Sequence, residues 1–287
     1  MKNRSIYWWC VLGLMLVFSG MACIEKPAVK NPPGYDLTKP VRYNMPDGLL
    51  EISGIALYHG RADSIYAEQD EDGRIYYLKP GDGKVAHSKF AGHGDYEDIA
   101  IMGELLYILR SDGVIFTFPF KQVQSGNIAN VKELKGLLPA GEYEGMCVDE
   151  KSKQLYVLCK SCKGNNEKKV GAGYIFNALP GNGLKASGNF TINVKDIEAQ
   201  LGKNKMTFRP SALAKNTKTN EWYILSSVNK ALVITDVNWQ VKAAYPLNPS
   251  LFIQPEGMAF DNQNSLYISN EGDKLTPGTI LKFIYKK

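Results

Sequence analysis

The chain has 287 residues, with 34 Lys and Arg against 29 Asp and Glu, a formal charge of +5. Two of the excess cations, Lys2 and Arg4, lie in the first 22 residues, which contain no acid, so a chain cut there carries +3. So small a charge on so long a chain excludes the basic footprint of a nucleic-acid-binding protein, and no nucleic acid partner is expected.

From Lys2 and Arg4 the sequence runs apolar from Ile6 to Phe18 and leaves through Ser19-Gly20-Met21-Ala22-Cys23. A basic start, a short apolar stretch and a small-residue exit predict a secretory signal peptide over residues 1–22. The stretch is short for a membrane span, which needs about 20 apolar residues. Ala22-Cys23 is similar to a bacterial lipobox, with Gly20 where that box usually has Leu, and predicts lipidation of Cys23. Acyl chains on that cysteine would anchor the protein to a membrane of the cell envelope. Residues 23–36 are polar and hold three prolines, the composition of a lipid-anchored tether. Residues 37–287 are the expected folded domain, with Cys147, Cys159 and Cys162 inside it. Three is an odd number, so at least one thiol is left without a partner in the chain. Cys159-Lys160-Ser161-Cys162 alone is a weak metal signal, because structural zinc takes four ligands; a local disulfide or buried thiols is the reading.

A two-part phrase then recurs five times. Its first part is Ser53-Gly54-Ile55-Ala56, Glu97-Asp98-Ile99-Ala100, Glu144-Gly145-Met146-Cys147, Ser211-Ala212-Leu213-Ala214 and Glu256-Gly257-Met258-Ala259. About ten residues on, each is answered by an apolar pair around Tyr66, Tyr107, Tyr156, Tyr223 or Tyr267, at steps of 41, 49, 67 and 44 residues. A third apolar run closes each unit, and fainter fourth strands follow at 85–90, 131–134, 189–194 and 241–247. Short β-branched and aromatic runs bounded by turn formers read as strands. Four strands at a period in the forties predict an all-β fold, a five-bladed β-propeller. The long step is assigned to an inserted helix within 194–206, the alternative being six blades with a degenerate unit near 170–205. The last unit lacks its fourth strand, and Val41–Met45 is expected to supply it, closing the ring and removing exposed edges.

The segments Glu51-Ile52-Ser53-Gly54-Ile55-Ala56, Asp95-Tyr96-Glu97-Asp98-Ile99-Ala100, Tyr143-Glu144-Gly145-Met146 and Gln254-Pro255-Glu256-Gly257-Met258 span most of the chain. In them the sequence resembles the bacterial SdiA-regulated, YjiK-like family of propeller proteins. The resemblance implies an exported or membrane-attached protein, a link with calcium in some members, and no established enzymatic activity.

Aligning the units places Glu51, Asp95, Glu142, Arg209 and Gln254 at an outer position and Ser53, Glu97, Glu144, Ser211 and Glu256 two residues further in. Residues two apart on a strand share a side, so both sets are expected at one mouth of the central channel. The ends of the second strands, including Asp70, Arg110, Lys160 and Glu271, should join them there. Crowded carboxylates raise one another's pKa unless a cation intervenes, and calcium takes six to eight oxygen ligands. Glu97, Glu144 and Glu256 are therefore the expected main calcium ligands, with Asp95, Glu142 and Glu51 around them and Arg110, Lys160, Arg209 and Glu271 as ligand-binding residues. The competing reading is that each acid caps backbone amides or pairs with a neighbouring base. The expected role is a non-enzymatic, calcium-dependent binding or envelope-response module, its partner a small molecule or envelope protein. The alternative is a calcium-dependent hydrolase. Glu144-Gly145-Met146 and Glu256-Gly257-Met258 are similar to the Glu-Gly-Pro metal ligand of gluconolactonase-like propellers, without the Pro. Arg110, Lys160 and Arg209 beside carboxylates suit a phosphate, as in propeller phytases.

Overall fold

The computed structural model describes residues 30–286. The predicted signal peptide and Cys23 lie outside the described residues. The described residues form twenty strands in five antiparallel four-stranded sheets. After β1 (Val41–Asn44), blade 1 is β2–β5 (Ile52–Ala56, Ile65–Gln69, Asp72–Leu78, Ala86–His93). Blade 2 is β6–β9 (Tyr96–Met102, Leu105–Arg110, Ile115–Pro119, Lys132–Leu134). Blade 3 is β10–β13 (Gly141–Asp149, Gln154–Cys162, Val170–Leu179, Gly183–Asn193). After helix α1 (Val194–Leu201), blade 4 is β14–β17 (Ala212–Asn216, Glu221–Ser226, Ala231–Thr235, Val241–Pro246). Blade 5 is β18–β20 (Pro255–Phe260, Leu266–Asn270, Thr279–Phe283), completed by β1. The predicted closure is present: β1 runs antiparallel to β20, with Val41 opposite Lys282 and Asn44 opposite Thr279.

The inner strands touch in a ring, β2 against β6, then β10, β14, β18 and back to β2. The core is accordingly divided into five wedges, one between each pair of neighbouring blades. In every wedge a large residue of one inner strand shares the core with a small one of the preceding blade. Ile99 goes with Ala56, Met146 with Ala100, Leu213 with Cys147, Met258 with Ala214 and Ile55 with Ala259. Such close-packed rings tolerate little change in volume. Cys147 thus fills a slot that holds alanine in the other four blades, while Cys159 and Cys162 form a disulfide. The inner strands also approach backbone to backbone. A Cβ on Gly54 would stand 2.5 Å from Asp98 Oδ1, which explains the glycine there.

The long repeat step holds a helix, as expected. Asn193 caps α1 by accepting from Lys195 N, Val194 and Ile197 are buried against blades 3 and 4, and Gly202 ends it with a positive φ. One boundary differs from the sequence reading. Tyr35, expected in the tether, is buried among Tyr223, Phe260 and Tyr285 and donates to the Asn264 carbonyl at 2.7 Å. An aromatic ring with a satisfied hydroxyl is worth burying, so the domain begins before residue 37.

Candidate functional site

All five inner strands start at the same mouth, and each starts with an irregularity. In blades 1, 2, 3 and 5 the register slips where the inner-position residue sits: two residues of the inner strand face one of its neighbour. The extra residue is Glu97 in β6, Glu144 in β10 and Glu256 in β18, and Ser53-Gly54 face Glu68 in blade 1. Blade 4 does the same at Ser211, whose N–H donates to the Leu225 carbonyl already opposite Ala212. A bulge bends the strand and re-aims its side chain. The strict alternation expected from sequence is therefore absent at these positions. The inner residues turn inward, with Ser53, Glu144 and Ser211 buried, while Asp95, Glu142, Arg209 and Gln254 of the outer set remain exposed.

The serines lock the ring. Ser53 Oγ donates to the Glu97 carbonyl at 3.0 Å, Ser211 Oγ to the Pro255 carbonyl at 2.8 Å, and Ser269 Oγ to the Ser53 carbonyl at 2.6 Å. Asp98 does so across another joint: it accepts from Ile99 N at 2.8 Å and from Met146 N of the next blade at 2.6 Å.

The acids gather at this mouth. Burial, then Glu144 and Asp95, pushes Glu97 up to about 10. Burial, then Glu256, pushes Glu144 up to about 8, against the pull of Lys160. Glu256 rises to about 7 through burial and Glu271, and Glu271 to about 7 through burial, Asp70 and Glu51. Asp70 itself rises to about 6, by burial and by Glu51. These carboxylates destabilise one another's charge across the mouth. Beneath them Glu68 is fully buried, with Oε1 accepting from Gly54 N at 2.5 Å and Oε2 unpartnered, and desolvation holds its pKa well above the ordinary value.

The predicted cations are distributed differently. Lys160 enters the mouth and pairs with Glu144 and, at 2.9 Å, with Glu142. Burial lowers its pKa, but the bonds to Glu144 and Glu142 more than offset this, and the net shift is upward. Arg110 is held by Asp112 at 2.9 Å and lies over the Phe116 ring. Arg209 pairs with Glu167 at 3.2 Å. The structure thus brings Glu51, Asp95, Glu97, Glu144, Glu256, Glu271 and Lys160 together, with Glu142 at their edge and Arg209, paired with Glu167, lining the same mouth, and binds Arg110 to Asp112 on its own flank.

Carboxylate oxygens are donors that suit calcium. Yet no group of three or more His, Cys, Asp or Glu side chains among the described residues is placed to hold a metal ion. The acids surround the mouth rather than converge on one point. Among the described residues, a cavity opens at each mouth of the channel. One, of about 350 Å³, lies at the acidic mouth between blades 3, 4 and 5 and is lined by Glu144, Lys160, Arg209, Ser211, Ser227, Lys230 and Glu256, among others. The other, of about 720 Å³, opens at the opposite mouth, where the inner strands end.

Sequence reasoning missed Glu68, Asp98 and Lys230 as site residues, and placed Ser227 at the mouth only as the end of a second strand. The first two carried a signal. Glu68 stands where the other second strands have Leu109, Leu158, Leu225 and Ser269, and Asp98 where the other inner strands have Gly54, Gly145, Ala212 and Gly257. An acid in a slot that the other blades fill with uncharged residues marks an exception to the repeat.

The family model described as SdiA-regulated matches residues 44–275. No curated protein matches the sequence significantly. Among solved structures, the chain is similar to glutaminyl cyclase of Myxococcus xanthus at 12% identity, with a TM-score of 0.59, covering 86% of this chain and 96% of that one. It is similar also to a luciferin-regenerating enzyme at 10% identity, with a TM-score of 0.52, covering 86% and 95%. At such identities the likeness concerns the fold alone.

Proposed function

The chain belongs to the SdiA-regulated family, and from that premise we propose that it is an exported, lipid-anchored binding or envelope-response module whose acidic mouth takes up a cation. The observation that carries this reading is the set of carboxylates at one mouth, Glu97, Glu144, Glu256 and Glu271, whose burial and mutual repulsion raise their pKa values and of which Lys160 pairs only with Glu144. A cation relieves that repulsion. Calcium is the proposed metal, because all the donors are hard oxygens; holding it would require Lys160 to release Glu144 and the acids to draw together. The anchor is Cys23, and replacing it by Ala should shift the protein from the membrane fraction to the soluble one. Among the described residues no helix is long and apolar enough to cross a membrane.

Thermal unfolding in EDTA and in millimolar calcium tests the cation. Calcium at about 100 times its dissociation constant adds about 2.7 kcal/mol, a rise of roughly 5–10 °C at this size. The rise should disappear in Glu97→Gln, Glu144→Gln and Glu256→Gln. An unchanged Tm in the native sequence would remove calcium from the proposal.

A second reading, a calcium-dependent hydrolase, is favoured by one observation. Glu97, pushed up to about 10, holds its proton at neutral pH, as a general acid must. Turnover of a lactone or phosphomonoester that vanishes in Glu97→Gln would select it over the binding module.

A further inference from the structure

The side pocket at the acidic mouth has a charge pattern that a bare ion does not match. Glu144 of blade 3 and Glu256 of blade 5 contribute carboxylates; Arg209 and Lys230 of blade 4 contribute cations to the same cavity of about 350 Å³, as does Lys160 of blade 3, which already pairs with Glu144. A metal ion placed there meets the guanidinium and the two ammonium groups; a simple anion meets the two carboxylates. Both kinds of charge are satisfied at once only by a molecule that carries both.

The groups have capacity left for such a molecule. Arg209 gives Nε to Glu167 at 3.2 Å, and its backbone N–H accepts no ligand role because it donates to Asn229 Oδ1. Among the described residues its two terminal nitrogens make no hydrogen bond, so the planar fork that matches a carboxylate is open. Lys230 donates once, to the Ile253 carbonyl at 2.5 Å, out of three donors. Burial lowers its pKa, a cost that an incoming carboxylate reverses. Ser227 and Ser211 lie beside the Glu256 carboxylate. At the lip, Val228 is 65% exposed and offers an apolar contact in a pocket otherwise polar. The volume is at the lower end of the range of about 300–1,000 Å³ for small-molecule sites.

We propose that this pocket binds a zwitterionic α-amino acid, its ammonium held by Glu144 and Glu256, its carboxylate by Arg209 and Lys230, and its side chain against Val228. The proposal rests on the preceding reading only in that Glu144 and Glu256 accept a cation, here an organic one. Calcium drawn to the same two carboxylates competes with the amino acid.

Isothermal titration of the intact protein with each of the twenty common L-amino acids, and with calcium chloride alone, tests it. The best amino acid should bind at least tenfold more tightly than its N-acetyl derivative, which has lost the cation, and than its amide, which has lost the anion. Lys230→Met and Arg209→Met should each weaken the amino acid by tenfold or more while leaving the amide unchanged. Val228→Asp, at a position too exposed to disturb folding, should weaken it as well by setting a carboxylate against the ligand's own. Calcium should raise the apparent dissociation constant. Equal binding of the N-acetyl derivative overturns the proposal, and so does calcium binding with no response to any amino acid, which leaves the cation reading standing. Silence towards both calcium and amino acids overturns both.

Discussion

Replacing Glu256 by glutamine should stabilise the protein at pH 8 and leave it unchanged at pH 4. Burial and the neighbouring Glu271 carboxylate hold the Glu256 pKa at about 7, against an ordinary 4.5 in the unfolded chain. Below pH 4.5 the group is protonated in both states and costs nothing. Between pH 4.5 and 7 the folded protein keeps a proton that the unfolded chain releases, so stability falls as pH rises. Above pH 7 the carboxylate is charged in both states and the folded protein bears the full penalty. At about 1.4 kcal/mol per pH unit the penalty is on the order of 3 kcal/mol. Glutamine keeps the shape and its bonding partners and never ionises. The variant should therefore unfold at the same temperature as the native sequence near pH 4 and roughly 6–12 °C higher at pH 8, at ~2–4 °C per kcal/mol. Calorimetric scans from pH 4 to 9 in EDTA measure the difference directly. If it is flat with pH, Glu256 is not an ionised burden on the fold, and the account of the mouth given above is wrong.

Asp98→Ala should cost about 2–5 kcal/mol in urea unfolding, because it leaves the Ile99 and Met146 amides buried without an acceptor. Cys147→Ala should be close to neutral, since alanine occupies the matching slot in the other blades, whereas Cys147→Leu should cost about 1–3 kcal/mol by overfilling the wedge against Leu213. Tyr35→Ala should cost about 3–5 kcal/mol, as expected for a buried aromatic. It should also speed amide exchange in β1, which would show that residues before 37 belong to the domain.

The blades were legible because a strand's signature is local. Tyr66, Tyr107, Tyr156, Tyr223 and Tyr267 mark the second strands by their apolar neighbours alone, and Val41–Asn44 was recoverable as the missing fourth strand by counting. The bulges were not legible. An extra residue at Glu97 or Glu144 changes which partner it faces without changing the residue types along the strand. The mouth acids were found by alignment, since propeller symmetry brings equivalent positions together whatever lies between them. The partners of the basic residues were not found, because these are set by turn geometry. Arg110 folds back on Asp112 two residues away, and Arg209 reaches Glu167 from the preceding blade. The prolines around Tyr35 give its segment the composition of a tether, and only the cleft between blades 4 and 5 gives it a place.

The junction of β1 with β20 behaves as a lap joint. Tension applied through residue 30 reaches Tyr35 and Leu37 first, both seated in the core between blades 4 and 5. Whatever passes them runs along β1, where the four paired positions from Val41–Lys282 to Asn44–Thr279 are loaded in shear and share the force. The load then enters β20 and β19 and is spread through blade 5. A protein held by its N-terminus and tugged from its far face would in this way keep its ring shut, and the strand that completes the circle is also the one that carries the strain.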